Sequence, residues 1–409
     1  MKTAIFGLGV SAKSVIKYHI THKADEHFYI VNQGEPNRWK DQVQFKGDFT
    51  CIAQDDLQSI FKEINLIILS PGIPTQLPIL QAAQKEGIEI ISEIEFAFRL
   101  SDVPVIAVTG TNGKTTVCEM MAKALSDCDK SVFLGGNIGH AYTEILMDDT
   151  SYDYAVIEVS SFQLETINTF KPIISIITNI TPSHMERYDH FNDYKKAKEN
   201  IFKNNNDGLV LSKMDFSIAN QKMPEKLSYN FEQAIALGEH NQENFSYIYE
   251  SLKYLRLLDQ LDFQKFINEF TPSPYRIQKI REIDGCVFIN DGKSTNLDST
   301  LAALNSFKFS HGILIMGGKI RDKSIEFEKL NLFKAKVEVM AFGDAATYIA
   351  ESLNQNFKVK VFENLAALFG DLKFDDQELV LFSPCFPSFD LYKNYIERAE
   401  HFNQLVNTL

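Results

Sequence analysis

Three short stretches carry residue types that can do chemistry together. Residues 105 to 121, VIAVTGTNGKTTVCEMM, run from an apolar segment through Gly110, Thr111, Asn112 and Gly113 into Lys114, Thr115 and Thr116. Glycines in such a turn let backbone N–H groups face an anion at a helix N-terminus, a lysine reaches the β and γ phosphates, and a threonine hydroxyl can ligate Mg²⁺. The usual spacing, G-x-x-x-x-G-K-[ST], would put glycine at 108, where this chain has Val108. A plain glycine turn feeding a helix is the weaker reading, because strand, G-K-T and helix coincide. The stretch predicts an ATP or GTP site.

The second stretch is YAVIEVSSFQLE, residues 154 to 165. Glu158 ends a strand, where a carboxylate facing a phosphate loop can hold a nucleotide-bound metal. The third is TNITPSHMERYDHFNDYKKAKENIF, residues 178 to 202. His184 follows a strand and a proline turn, on the sheet edge expected for Lys114 and Glu158. In the helical DYKKAKENIF, Lys195 and Glu199 have i,i+4 spacing and read as a solvated pair. By spacing alone Lys198 is an ordinary helix lysine.

The elements that must position these residues follow from pattern. A chain of 409 residues exceeds one usual hydrophobic core, so two or three domains are expected. Strand-length apolar runs alternate with helical-period segments throughout, which predicts an α/β fold with mainly parallel sheets. TAIFGLG, HFYIVN and LIILSPG form a first set, VPVIAVTG, YAVIEVSS and IISIITNI a second, and GCVFIND, GILIMGG, VEVMAFG and ELVLFSP a third. Three sets imply three domains, here 1–95, 96–272 and 273–409, with boundaries near SEIEFAFRL and the proline-rich TPSPYR.

Composition excludes several function classes. A net charge of −13 argues against wrapping a nucleic-acid polymer, which needs a basic face. Five scattered cysteines without C-x-x-C suit reduced thiols in a cytoplasm. Gly7, Gly9 and Lys13 interrupt the first apolar run too early for a signal peptide, and no run approaches the ~18 residues of a membrane span. The opening IFGLGVSAKS fits G-x-G-x-x-A after a strand, but a dinucleotide site also wants an acid at the end of the second strand. Asn32 and Gln33 stand there, which disfavours NAD.

GTNGKTT resembles the ATP loop of the Mur ligases and their relatives the folylpolyglutamate synthases, in which the shortened glycine spacing is normal. The resemblance covers nearly the whole chain. SSFQLE and HMERYDHF are most similar to the D-glutamate-adding branch. It implies an N-terminal Rossmann-like domain that binds a UDP substrate, a central P-loop ATPase domain, and a C-terminal Rossmann-like domain that binds the amino acid. The implied substrates are ATP, UDP-N-acetylmuramoyl-L-alanine and D-glutamate, with Mg²⁺ as cofactor. Residue by residue, the resemblance assigns residues 110 to 116 to ATP, Thr115, Glu158, His184 and Lys198 to metal, and Lys198 to carbamylation. Asn241 and Asn244 would lie near adenine and Arg276 on the nucleotide. FINDGKSTNLDST implies Asp291 on the ribose, Lys293 on phosphate and Thr295 on D-glutamate. LFSPCFPSFDLYKNYIERAEHF implies Ser388 and Tyr395 beside the D-glutamate site. Gly9, Val10, Ser11, Ser70, Gly72 and Asn137 would contact the UDP substrate.

The chain departs from the family pattern at several positions. Ser183 replaces an aspartate before the histidine, Asn32-Gln33 stands where Thr-Arg is common, and Ala399 replaces a glycine. GGKIRDKSIEF is longer than its counterpart, leaving Lys323 the choice over Lys319 for the glutamate-binding lysine. Another amide ligase of the superfamily is the nearest alternative; a folylpolyglutamate synthase would lack the full N-terminal domain. A noncatalytic nucleotide switch would not need Lys293, Thr295 and Ser388 in one cleft. A monomer in the cytoplasm, without membrane insertion, is expected.

Overall fold

Three parallel-rich sheets follow one another along the chain, and their central strands, such as Val105–Thr109, Gly312–Gly317 and Leu379–Cys385, are buried throughout. The computed structural model describes residues 2–409 except 44, 186, 237, 321–324 and 354. The first sheet contains β1 (Lys2–Phe6), β2 (Phe28–Asn32), β3 (Phe49–Ala53), β4 (Ile64–Leu69) and β5 (Glu89–Ser92), in the order β3-β2-β1-β4-β5. All its pairings are parallel. Helices α1 (Val10–His22), α2 (Pro78–Lys85) and α3 (Glu93–Phe98) accompany it. Chain order reverses between β1 and β4, the crevice where open α/β sheets place ligands.

The second sheet comprises β6 (Val105–Thr109), β7 (Val132–Gly136), β8 (Tyr154–Glu158), β9 (Ile174–Ile177), β10 (Leu209–Leu211) and β11 (Gln221–Lys222). Its order is β11-β10-β9-β6-β8-β7. Every residue of β6 is buried, and it lies between β9 and β8, so the turns after these three strands share one edge. Helices α4 (Lys114–Asp127), α5 (Ser161–Leu164), α6 (Phe191–Glu199), α7 (Glu239–Tyr254) and α8 (Phe263–Glu269) follow in chain order.

The third sheet holds β12 (Gln278–Ile283), β13 (Cys286–Asn290), β14 (Gly312–Gly317), β15 (Val337–Phe342), β16 (Val359–Phe362) and β17 (Leu379–Cys385), with α9 (Leu297–Asn305), α10 (Ala346–Leu353), α11 (Leu365–Asp371) and α12 (Tyr395–Asn407). The order is β12-β13-β17-β14-β15-β16. Only its edge pair β12–β13 is antiparallel; the other pairings are parallel. Every strand expected from sequence forms. The strands passed over, β3, β5, β7, β10, β11, β12 and β16, are mostly short or edge strands, whose apolar runs are weak.

The chain divides into two compact units. One is Met1–Lys226 with Asn244–Phe263, and the other is Leu227–Glu243 with Gln264–Leu409. Within the first unit the two sheets are joined by buried acids on α3. This helix starts at Ser92, whose side chain accepts from Glu95 N–H. Glu95 Oε1 accepts from Arg99 Nε, Thr169 N and Thr169 Oγ1, and its Oε2 accepts from Asn168 N and Phe170 N. Burial pushes the Glu95 carboxyl up, but these donors outweigh it and hold it below its ordinary value. Glu93 accepts from Thr143 N and, at 2.6 Å, Thr143 Oγ1. There burial dominates and raises the carboxyl to about 7.

Candidate active site

The phosphate-loop expectation rests on backbone geometry, and here a strand, a glycine turn and a helix start follow one another. After β6 the chain passes Gly110 at φ +150° and Gly113 at φ +85°, then enters α4 at Lys114. A Cβ at Gly110 would lie 1.9 Å from Thr178 Oγ1, so only glycine fits that crossing. The loop is held by the segment just after β9: Thr111 N donates to Asn179 O at 2.8 Å and Asn112 N to Asn179 Oδ1 at 2.9 Å. Asn112 O in turn accepts from Thr178 Oγ1 and Asn179 Nδ2. Lys114 Nζ folds back to Gly110 O and Thr111 O, both at 3.0 Å. Its ammonium therefore sits over the loop, at a helix N-terminus whose partial charge also favours an anion.

Glu158 ends β8 directly across from this helix. Thr115 Oγ1 donates to Glu158 Oε2 at 2.8 Å, and Asn137 Nδ2 donates to Glu158 Oε1 at 2.8 Å. Asn137 N also bonds Glu158 O. Thr115, Thr116 and Glu158 are buried. The Ser160 and Gln163 of SSFQLE form a reciprocal capping box that starts α5 just after Glu158. Thus part of that motif serves local structure by fixing where the strand-end turn goes.

Lys198 is not the ordinary helix lysine that spacing suggests. It is 2% exposed, with Nζ donating to Gly110 O at 2.7 Å. Burial, reinforced by the Lys114 charge and opposed by Glu158, pushes its ammonium well below the usual lysine range. Lys195, by contrast, pairs with Glu199 at 3.7 Å in a partly exposed position, as its spacing suggests. Lys198 Nζ also lies 4.7 Å from the centre of the Tyr194 ring, whose hydroxyl meets Thr111 Oγ1 at 3.1 Å. His184 adopts φ +59° and packs its ring edge-on to Phe162 at 5.0 Å and tilted against Tyr194 at 6.2 Å. Loop, Glu158, His184 and Lys198 are thereby gathered on one sheet edge. No group of three or more His, Cys, Asp or Glu side chains among the described residues is arranged to hold a metal.

Sequence reasoning missed Thr178, Asn179 and Tyr194, which shape the loop, although all three lie within the third stretch. It also missed Arg187. Its guanidinium donates to Pro71 O at 2.9 Å, Ile73 O at 3.3 Å and Glu165 Oε2 at 2.9 Å, and lies 4.1 Å from the Phe162 ring centre. Glu165 also takes bonds from Thr75 Oγ1 and Tyr188 Oη. The turn after β4 is thus tied to the second sheet.

That turn carries Ser70 and Gly72. Ser70 is buried, and a Cβ at Gly7 would come within 2.4 Å of its Oγ, so the two strand ends touch. Gly9 precedes α1, Val10 is 68% exposed, and Ser11 is partly buried. Gly9 and Gly72 have open space around them. Asn244, in the same unit, brings its Oδ1 to 3.5 Å from where a Gly113 Cβ would be. Asn241, on the same helix, is counted in the second unit and is also buried.

In the second unit the expected residues cluster at the C-terminal ends of β13 and β17. Lys293 Nζ stands 5.2 Å from the Tyr395 ring centre, and Tyr395 is partly exposed rather than core. Asp291 is enclosed: Ser383 Oγ donates to its Oδ2 at 2.8 Å and Ile277 N to its Oδ1 at 3.3 Å. Burial raises this carboxyl to about 7. Arg276 is partly buried, and its charge, after burial itself, pushes His240 down to about 4. Thr295 is exposed and Ser388 buried. Lys319 is exposed, while Lys323 lies outside the described residues.

Comparison with known proteins identifies the family. Residues 1–92 match a family model described as "Mur ligase MurD-like, N-terminal domain", and residues 108–268 match "Mur ligase middle domain". The chain is 32% identical to UDP-N-acetylmuramoylalanine--D-glutamate ligase of Alkaliphilus metalliredigens, over 85% of this chain and 84% of that one. It is also 32% identical to the ligase of the same name from Caldicellulosiruptor saccharolyticus, covering 100% and 99%. Among solved structures, the chain is similar to MurF ligase from Thermotoga maritima in complex with ADP, with TM-score 0.60, 16% identity and coverage of 99% and 98%. UDP-N-acetylmuramate-alanine ligase MurC from Thermotoga maritima has TM-score 0.57 at 19% identity, covering 100% and 99%.

Proposed function

The chain belongs to the Mur ligase family, and from that premise we propose that it joins D-glutamate to UDP-N-acetylmuramoyl-L-alanine with ATP, a step in peptidoglycan precursor synthesis. The observation that carries the reading is the Lys114 loop facing the Thr115–Glu158 pair at one sheet edge.

A carboxylate is a poor electrophile toward an amine, so the substrate carboxylate must first be activated. One carboxylate oxygen attacks the γ-phosphorus of ATP, the bond to the bridging oxygen breaks, and ADP leaves. The product is an acyl phosphate. Lys114 is placed to stabilise the charge on the transferred phosphoryl group, and Arg276 is assigned to the nucleotide. The neutral amine of D-glutamate then attacks the carbonyl carbon, and the tetrahedral intermediate expels phosphate and loses a proton to leave the amide.

The donor set fits Mg²⁺: Thr115 and Glu158 offer two hard oxygen atoms 2.8 Å apart, and such ions typically take one or two carboxylates with phosphates and waters. When bound, the ion would neutralise phosphate charge. His184 and carbamylated Lys198 complete the proposed ligand set. The Lys198 amine is buried against neutral oxygen acceptors, and reaction with CO₂ would turn it into an anion carrying two oxygens.

The amino-acid site is assigned to the strand ends of the second unit, with Thr295, Ser388, Tyr395, Lys293 and either Lys319 or Lys323. The uridine nucleotide substrate is assigned to the β1–β4 crevice, with Gly9, Val10, Ser11, Ser70 and Gly72, and to Asn137. Domain limits at 95 and 272, a monomeric state and a cytoplasmic location belong to the same proposal. Among the described residues no helix is long and apolar enough to cross a membrane.

The test is phosphate release from the purified protein with ATP, Mg²⁺ and UDP-N-acetylmuramoyl-L-alanine while the amino acid is varied, with the product confirmed by mass. Release that requires both the nucleotide sugar and D-glutamate supports the reading. Release with another amino acid in its place, or ATP binding without product, overturns it.

A further inference from the structure

Among the described residues, the largest fully buried side chain is a cation, Arg398. It lies at the end of the first turn of α12, where the helix dipole disfavours positive charge. Its guanidinium spans three strand ends. Nη1 donates to Phe386 O at 2.8 Å and Gly317 O at 3.2 Å, and Nη2 donates to Gly292 O at 3.1 Å. These carbonyls follow or end β17, β14 and β13, which are adjacent in the sheet. Nε has no partner.

Resting on the function proposed above, we propose that Arg398 is the positioning residue of the amino-acid site and the buried charge that draws an acidic amino acid to it. The three bonded carbonyls belong to the turns that carry Lys293 and Thr295, Lys319, and Ser388. The backbone is packed too closely here for any of the turns to relax alone: Lys319 N bonds Pro387 O at 2.7 Å, and a Cβ at Gly292 would lie 2.6 Å from that of Ala399. Ala399 therefore packs onto the same turn.

The charge is the second half of the argument. Arginine keeps its proton at neutral pH even here, where burial lowers it to about 10. Among the described residues no carboxylate pairs with it; Asp390 acts only through space, and its Oδ2 is engaged by Asp344 N. Carbonyl dipoles solvate the guanidinium without neutralising it. A net positive charge and the N-terminus of a 13-residue helix thus lie beneath turns proposed to hold a dicarboxylate.

The experiment measures KM for ATP, nucleotide sugar and amino acid, with kcat, in wild type, R398K and R398M, each checked by circular dichroism and thermal melting. R398M is expected to raise the KM for D-glutamate at least tenfold while the other two KM values stay within twofold. R398K keeps the charge but loses the planar fork, and is expected to fall between. Equal changes in all three KM values, or an unchanged D-glutamate KM in folded R398M, would overturn the proposal. If R398M does not fold, R398K decides by the same selectivity. Wild type that turns over with another amino acid would sink the function proposed above, and the Arg398 test would then use that amino acid.

Discussion

Thr115 Oγ1 and Glu158 Oε2 stand 2.8 Å apart, joining the first turn of α4 to the last residue of β8. Forty-three positions separate them in sequence. Parallel pairing of β6 with β8 brings them together, because it ends both strands at the same edge. The carboxylate is further fixed by Asn137, so its orientation is set before any ligand arrives.

Removing the loop cation should abolish turnover. Lys114→Ala is expected to lower kcat by at least about a hundredfold, the scale seen for loss of one transition-state donor. Normal phosphate release from a folded variant would refute the assignment.

Glu158→Gln keeps the shape and removes the charge. A magnesium titration of activity is expected to shift at least tenfold to higher metal concentration. An unchanged titration curve would take Glu158 out of the metal site.

Lys198 should carry CO₂. Because burial lowers its pKa, the neutral amine is present at a lower pH than for a surface lysine. With ¹³C-bicarbonate, the wild type is expected to show a carbamate carbon resonance that Lys198→Met lacks, and the variant should be inactive. Identical spectra for the two chains would rule the modification out.

Glu95 should matter for stability and not for chemistry. Five donors converge on it, so Glu95→Ala leaves four buried or half-buried backbone and hydroxyl donors and Arg99 short of a partner. A loss of about 3–5 kcal/mol is expected in urea unfolding. A loss below about 1 kcal/mol would mean that water replaces the carboxylate.

Glu93 gives a pH signature. Its carboxyl is at about 7 in the folded chain against 4.5 ordinarily, with Thr143 bonded to it, Tyr142 within reach of its charge and Glu144 raising it further. The native state binds that proton more tightly, so stability is retained below about 4.5 and falls as pH rises through 7. The window corresponds to roughly 3 kcal/mol. Glu93→Gln should therefore flatten the decline in Tm between pH 5 and 8. Parallel Tm curves for the two chains would show that Glu93 ionises normally.

Much of the candidate site's edge was legible along the chain. Gly110, Gly113, Lys114 and Thr115 are contiguous, and a strand, a glycine turn and a helix start are local events that short-range sterics fix. Glu158 was legible because a strand must end where its apolar run ends. The α/β class followed from period alone, and the strands that were passed over are those with little apolar content to mark them.

Burial and long-range partners were decided only by the tertiary structure. Lys195 and Lys198 lie on one short helix with similar neighbours, yet one meets solvent and Glu199 while the other is enclosed against Gly110 O. Helical spacing says that they face different ways and cannot say which way is inward. Asp291 reads as a strand-end acid open to a ligand, and β17 closes Ser383 over it. Arg398 reads as one charge in a helix rich in them; three carbonyls from residues as far as 106 positions away enclose its guanidinium. Local sequence sets dihedral angles and hydrophobic period, whereas the dielectric around a charge depends on which distant segments pack over it.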